Sequence, residues 1–283
     1  MQPARFALIA LLLALSSTVS AQVLWSVTDD HGRQNWLLGT VHSEDPRLLE
    51  FPEALLDALG QADRLALELV PDAAMLERLQ QAMHYDNGGL DQALEPELYD
   101  EVVRILDAGY GMGEPAVRRL RPWAAAMTIS VPPPQTGLFM DLALSFRARG
   151  MGVDVIALET IDEQLDFLKG LSHDAQIELL RSAVSEHERM RETFEELITA
   201  YLTGDLGELE ALSMRQLDGM DEEIVDHFHD IGLVQRNQVM VERALPYLEQ
   251  GGLMIAVGAL HLVGEDGLVS LLEREGFTLE GIY

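Results

Sequence analysis

The sequence predicts an α/β protein in which helix outweighs strand. Four short apolar runs have the length and composition of buried strands, and long amphipathic helical patterns separate them. The first two runs are spaced as in a strand-helix-strand unit, which favours parallel strands. The chain has 283 residues and 48% hydrophobic content, enough for one large core, so we expect a single domain over residues 22–283.

The four apolar runs are the predicted strands. They are NWLLGTV at 35–41, RLALELV at 64–70, VDVIALET at 153–160 and LMIAVGAL at 253–260. The first half of the chain reads Gly-x-x-His and then Leu-Ala-Leu-Glu, whereas the second half reads Ile-Ala-Leu-Glu and then Gly-x-x-His. This mirrored order predicts two pseudo-symmetric halves.

Helices connect these strands. The segment between the first two strands has Gly60 as its predicted stop. The helix before the third strand is predicted to begin with Asp141 as its N-cap and to end at Gly150. Two longer intervals, at about 71–135 and about 161–250, are predicted as helical inserts. Connecting segments often carry recognition on a rigid scaffold, so we expect these inserts to shape specificity.

The N-terminus has the pattern of a secretory signal peptide. MQPAR supplies a positive start, FALIALLLAL an apolar run, and SSTVSA a small-residue exit. We expect residues 1–21 to be removed by cleavage after Ala21, which predicts a periplasmic or secreted protein. The apolar run is shorter than the roughly 20 residues that a membrane helix needs, so an uncleaved anchor is the minor alternative and no membrane association is expected after cleavage.

Composition and charge exclude several classes of function. The chain has no cysteine, which excludes disulfides, thiolate metal sites and a cysteine nucleophile. The net charge of −29 opposes binding to nucleic acid and to anionic membranes, and it attracts cations. Neither a glycine-rich phosphate loop nor the Gly-x-Ser-x-Gly pattern of serine hydrolases is present.

Four side chains that can bind a metal occur at the ends of the predicted strands: His42, Glu68, Glu159 and His261. A carboxylate is costly in an apolar strand unless it faces a cleft or a partner. Ligands of open α/β sheets bind outside the carboxyl ends of the strands. Two imidazoles and two carboxylates converging there would suit Zn²⁺, Mn²⁺, Fe²⁺ or Co²⁺, and a bound metal would activate water.

A glycine precedes each of the two motif histidines by three positions. Gly39 and Gly258 would let the backbone turn sharply or approach a ligand closely. A single histidine at a strand end is more often a capped or solvated residue, and a single glutamate can pair with an arginine. The repetition of the pattern in matching strand contexts favours one shared site.

The chain contains, in this order, LLGTVH, ADRLALEL, RPWAAAM, MDLALSFRARGMGVDVIALET, QRNQVM and VGALHLVGEDGLVSLLEREGF. These segments resemble the TraB/PrgY/GumN family over essentially the whole mature chain. The family includes GumN-type exported proteins and the Tiki proteases. The resemblance implies a mixed sheet flanked by many helices, related to the erythromycin esterase and ChaN-like proteins.

For the site, the resemblance implies a divalent metal, with Mn²⁺ or Co²⁺ as in Tiki members and Zn²⁺ as a further option. His42 and His261 match the two motif histidines, and Glu68 matches the acidic residue after the second strand. Glu159 lies in the Leu-Glu-Thr of the family.

Two further residues match recurrent positions of the family. Asp141 is one of them, although such a residue is more often a helix N-cap. Arg236 is the other, although an arginine in a long helix is more often an ion-pair partner. We treat both as secondary candidates.

Two functions follow from these observations. The first is an exported metal-dependent hydrolase, a peptidase of Tiki-like type that acts on a peptide or protein. The second is a non-catalytic periplasmic binding protein for a peptide, a haem-like ligand or a metal, since PrgY-type relatives are considered to bind or block a peptide pheromone. Turnover of a peptide library with added metal separates the two.

Overall fold

The computed structural model describes residues 22–283, so the predicted signal peptide lies outside the described residues. Within this range, six strands form one mixed sheet: β1 (Leu24–Thr28), β2 (Gln34–Thr40), β3 (Arg64–Leu67), β4 (Asp154–Ala157), β5 (Leu253–Gly258) and β6 (Thr278–Gly281). Their order is β4-β3-β5-β2-β1-β6. Strands β4, β3, β5 and β2 are parallel, while β1 is antiparallel to both β2 and β6.

The four predicted strands correspond to β2, β3, β4 and β5, so the α/β class with a mixed sheet is confirmed. Sequence inspection did not identify β1 and β6. Both are short: β1 has two buried residues among five, and none of the four residues of β6 is buried, so neither forms a continuous apolar run. β5, by contrast, is buried at five successive residues, which requires cover on both faces of the sheet.

Helices make up most of the remaining described chain: α1 (Pro46–Leu49), α2 (Glu53–Gln61), α3 (Ala73–Met83), α4 (Leu90–Ala93), α5 (Pro96–Tyr110), α6 (Glu114–Val117), α7 (Pro122–Ile129), α8 (Met140–Met151), α9 (Ile161–Lys169), α10 (His173–Glu186), α11 (Met190–Leu202), α12 (Leu206–Gln216), α13 (Glu222–Asp226), α14 (Arg236–Leu248) and α15 (Leu268–Arg274). A π-helix, His227–Gln235, joins α13 to α14, and a 3₁₀ turn, Ala259–Leu262, follows β5. Both predicted inserts are helical.

Three predicted helix boundaries are wrong. Gly60 does not stop a helix, because α2 continues through it. Asp141 is not an N-cap: α8 begins one residue earlier, and the carboxylate of Asp141 is bonded elsewhere. Gly150 lies inside α8, which ends at Met151. Its C-cap is Gly152, a residue with the left-handed φ of 82° that glycine adopts without strain.

Two main hydrophobic cores stabilise the fold. The larger one surrounds the sheet and includes buried side chains of α2, α8, α11, α12, α14 and α15. The second core lies away from the sheet and packs the helices α4, α5, α6 and α7 against α9 and α10, so it combines parts of both predicted inserts. Within residues 22–283, no helix has both the length and the apolar character that crossing a membrane requires.

Gly39 allows β2 to pack closely against the 3₁₀ turn. A Cβ atom at this position would lie 3.0 Å from the Cα atom of Ala259 and 3.2 Å from a methyl group of Leu262. The carbonyl oxygen of Gly39 also accepts a 2.9 Å hydrogen bond from the hydroxyl of Tyr201. The glycine of the first Gly-x-x-His motif therefore brings β2 against the turn that carries the second motif.

We expect Gly39→Ala to destabilise the protein by about 1–3 kcal/mol, because backbone must shift to admit the methyl group. Gly150→Ala is the matched control, since a Cβ there meets nothing within 4 Å. In a helix that change should be neutral or stabilising by up to about 1 kcal/mol. Urea unfolding of chains that begin at Gln22 measures both, and equal stability of Gly39→Ala and the parent would contradict the close approach.

Candidate active site

The four parallel strands bring the predicted site residues to one edge of the sheet. His42 follows β2, Glu68 follows β3, Glu159 follows β4, and His261 lies in the turn after β5. Across the sheet from β4 to β2, the order of these residues is Glu159, Glu68, His261 and His42. The two glutamates thus come from neighbouring strands, and so do the two histidines.

Arg236, the first residue of α14, connects the two glutamates. Its Nη2 atom lies 2.7 Å from Oε2 of Glu68 and 2.6 Å from Oε2 of Glu159, and its Nε donates to Oε1 of Glu159 at 2.8 Å. The Gln164 amide donates to Oε2 of both glutamates, at 3.2 and 3.1 Å. The side chains of Arg236, Glu68 and Glu159 are only 16%, 10% and 2% exposed, so this is a buried ion-pair network.

The second oxygen of Glu68 faces the histidine side of the site. Oε1 accepts a 2.7 Å hydrogen bond from the backbone N–H of Gly258 and lies 3.8 Å from Nε2 of His261. A Cβ on Gly258 would lie 3.3 Å from that oxygen, so this glycine leaves room for the carboxylate. Burial alone would raise the pKa of Glu68, but the charges of His261, His42 and Arg236 and the Gly258 hydrogen bond outweigh it and lower the pKa to about 2.

His261 is buried and is held by a neutral partner. Its Nδ1 lies 2.6 Å from Oδ1 of Asn237, and the Asn237 amide in turn donates to the carbonyl oxygen of Asp266 at 2.8 Å. An amide oxygen only accepts, so the proton is on Nδ1 and the neutral ring keeps Nε2 free. Desolvation lowers the pKa of His261 below its ordinary value, which favours the neutral ring.

His42 is held by a charged partner. Its Nδ1 lies 2.9 Å from Oδ2 of Asp141, whose other oxygen accepts from the hydroxyl of Thr40 at 2.7 Å. The ring of Phe139 packs edge-on against the imidazole at 5.9 Å. Desolvation by the surrounding protein opposes protonation of His42, but the charge and hydrogen bond of Asp141 outweigh it and raise the pKa to about 9. Since 59% of the side chain is exposed, His42 lies where the site opens to solvent.

The donor chemistry of the site fits a divalent cation. Both histidines have Nδ1 bonded to an acceptor, the arrangement that orients metal-binding imidazoles in proteins. The donor types available at this edge, two imidazoles and one carboxylate, suit Mn²⁺, Co²⁺ or Zn²⁺. Within residues 22–283, no group of three histidine, aspartate or glutamate side chains has metal-binding geometry. His42, His261 and Glu68 would therefore have to move closer together to bind a cation.

Glu159 and Arg236 have different positions from the other candidates. Both carboxylate oxygens of Glu159 accept hydrogen bonds from Arg236. Glu159 therefore holds the arginine in place and has no oxygen left unbonded for a metal. Arg236 is an ion-pair partner, as its place in a helix suggested, but it pairs with two site residues. Its guanidinium also lies 6.0 Å from the ring of Phe167.

Sequence reasoning missed the residues that orient the site: Thr40, Gln164 and Asn237. Asn237 follows Arg236 in the QRNQVM segment, which was the one available signal. His227 and His229, two residues apart in the π-helix, do not converge. Nε2 of His227 lies 2.7 Å from the carbonyl oxygen of Phe167, whereas His229 is 60% exposed beside Asp230.

The fold and the site define an α/β protein with paired histidines and glutamates at the carboxyl ends of its parallel strands. The chain belongs to the TraB/PrgY/gumN family, whose model matches residues 23–281. Metalloprotease TIKI2 of Danio rerio is 24% identical over 87% of this chain and 58% of its own length. Metalloprotease TIKI1 of Danio rerio is 25% identical over 91% of this chain and 62% of its own length. The chain thus spans about three fifths of these relatives. No solved structure matches it.

Replacing Asp141 by asparagine should lower the pKa of His42 from about 9 toward the ordinary value of 6.5, because the charge that stabilises the imidazolium is removed. The folded-state pKa of His42 is raised, so its pairing with Asp141 stabilises the metal-free protein fully below pH 6.5 and loses that effect as pH rises through 9. NMR titration of EDTA-treated protein measures the pKa, with the exposed His229 as the internal control. Identical His42 titration in the parent and in Asp141→Asn would contradict the pairing.

Proposed function

We propose that this chain is an exported, single-domain, metal-dependent hydrolase that cleaves peptide bonds, with residues 1–21 acting as its signal peptide. One observation carries the proposal: the two motif histidines are held through Nδ1 by Asp141 and Asn237, and Nε2 of His261 lies 3.8 Å from Oε1 of Glu68. The similarity to two metalloproteases supports the same reaction class.

In this proposal, His42, His261 and Glu68 hold the cation. A bound divalent cation supplies a Lewis acid and a water activated near neutral pH. Asp141 and Asn237 fix the orientation of the two imidazoles. Glu68, whose pKa is about 2, remains ionised. It contributes negative charge and does not act as a proton acceptor or donor. Substrate enters on the side of His42, because His261 is 6% exposed and His42 is 59% exposed.

A second candidate function is a periplasmic protein that binds a peptide, a haem-like ligand or a metal without turnover. One observation favours it: Arg236 already pairs with both Glu68 and Glu159, so each glutamate has a counter-ion without a bound metal or substrate. Cleavage of a peptide library with added Mn²⁺, Co²⁺ or Zn²⁺ distinguishes the two functions. Cation binding with no cleavage by any of the three supports the binding protein.

If the shared site is catalytic, His42→Ala and His261→Ala should each lower turnover by about 100-fold or more, and the double variant should lose little further activity, because members of one catalytic unit are not additive. Glu68→Gln should behave in the same way. His229→Ala is the control, since this exposed imidazole lies outside the site.

Cation content and thermal melts of metal-free protein accompany the activity assay. They separate a site residue from a structural one, because a bound cation itself stabilises the fold. A histidine variant that keeps full turnover and cation content while melting well below the parent would show that the histidine is a structural residue at a strand end.

A further inference from the structure

Arg236 binds the carboxylate of Glu68, which is also the carboxylate that a cation at the proposed site would use. Its Nη2 donates to Oε2 of Glu68, whereas Oε1 of Glu68 is the oxygen nearest His261. Glu159 holds the guanidinium from the opposite side through two hydrogen bonds. The three side chains are nearly buried, so their charges interact with little screening by solvent.

The charges of this network do not cancel. Glu68 and Glu159 contribute two negative charges and Arg236 one positive charge. A divalent cation at His42, His261 and Glu68 would be repelled by Arg236 and attracted by Glu159. The arginine also takes Oε2 of Glu68 and so leaves Oε1 as the donor on that residue.

We propose that Arg236 is a positioning residue which restricts Glu68 to one ligand oxygen and keeps cation binding weak enough for exchange. This inference rests on the proposed function, because it assumes that Glu68 binds the cation. Glu159 sets the strength of the effect, since it shares the positive charge of Arg236 that would otherwise act on Glu68 alone.

The chain offers a matched control on the same helix. Arg243, seven residues later in α14, pairs with Glu163 at 2.6 Å and donates to the carbonyl oxygen of Leu158. Its side chain and that of Glu163 are each 40% exposed, and the hydrogen bonds and ion pairs described for Arg243 go to Leu158 and Glu163. Arg243→Gln therefore removes an equal charge from α14 without freeing a site carboxylate.

The experiment measures Mn²⁺ binding by calorimetry and melting temperature with and without Mn²⁺, at pH 8, for the chain that begins at Gln22. Arg236→Gln should bind Mn²⁺ about tenfold more tightly than the parent, because a nearby positive charge is lost. Its metal-free form should melt at a lower temperature, since two buried carboxylates lose their counter-ion, and Mn²⁺ should raise its melting temperature by more than it raises that of the parent.

Two more variants and the control test whether the charge of Arg236 is what weakens Mn²⁺ binding. Arg236→Lys retains the charge and should return Mn²⁺ affinity toward that of the parent. Glu159→Gln should weaken Mn²⁺ binding, because Arg236 then acts on Glu68 alone and one attractive charge is lost. Arg243→Gln should leave Mn²⁺ affinity within about twofold of the parent, as expected for a partly exposed charge.

The outcomes separate this inference from the proposed function. Mn²⁺ binding by the parent with equal or weaker binding by folded Arg236→Gln overturns the inference and leaves the proposed function standing. Binding by Arg236→Gln alone supports the inference in a stronger form, in which the arginine blocks the site. Absence of Mn²⁺ binding in both proteins, with the same result for Co²⁺ and Zn²⁺, overturns both. Should Arg236→Gln fail to fold, Arg236→Lys and Glu159→Gln decide, and equal affinities in those two variants contradict the inference.

Discussion

The buried pairing of Arg236 with Glu68 and Glu159 is the interaction on which the site depends. Two carboxylates at the ends of neighbouring strands would repel each other in a buried environment, and one guanidinium between them reduces that repulsion. The fork of the arginine also fixes which oxygen of Glu68 remains for other partners. That oxygen meets the backbone of Gly258 and faces His261, so the pairing on the glutamate side organises the histidine side as well.

The first two residues of α14 hold both sides of the site, the glutamate side and the histidine side. Arg236 reaches the glutamates, and the next residue, Asn237, holds Nδ1 of His261. The nine-residue π-helix that precedes them is a rare conformation, and such segments are frequent at functional sites. Phe167 of α9 packs against this segment, with its ring stacked on His227 at 5.1 Å and 6.0 Å from the Arg236 guanidinium. The helical insert therefore supports the site rather than merely covering it.

Much of the sheet and the convergence of the site could be predicted because both depend on local pattern. A continuous apolar run predicts a buried strand, and the carboxyl ends of parallel strands lie at one edge, which brought Glu68 and His261 together. The orienting partners could not be predicted in this way. Asp141 is 99 residues from His42, and only the packing of α8 beside the strands brings them within hydrogen-bond distance. The same tertiary contact explains why Asp141 does not cap its helix.

The two Gly-x-x-His motifs are alike in sequence and differ in electrostatics. His42 is exposed and paired with a carboxylate, which raises its pKa, whereas His261 is buried and paired with an amide, and burial lowers its pKa. The neutral partner suits the buried position, because a third carboxylate, added to Glu68 and Glu159, would increase the negative charge of a region that already depends on one arginine. The charged partner suits the open position, where solvent reduces the cost of an ion pair. The mirrored sequence therefore builds an asymmetric site, with a fixed neutral imidazole at its interior and a cationic one at its mouth in the metal-free protein.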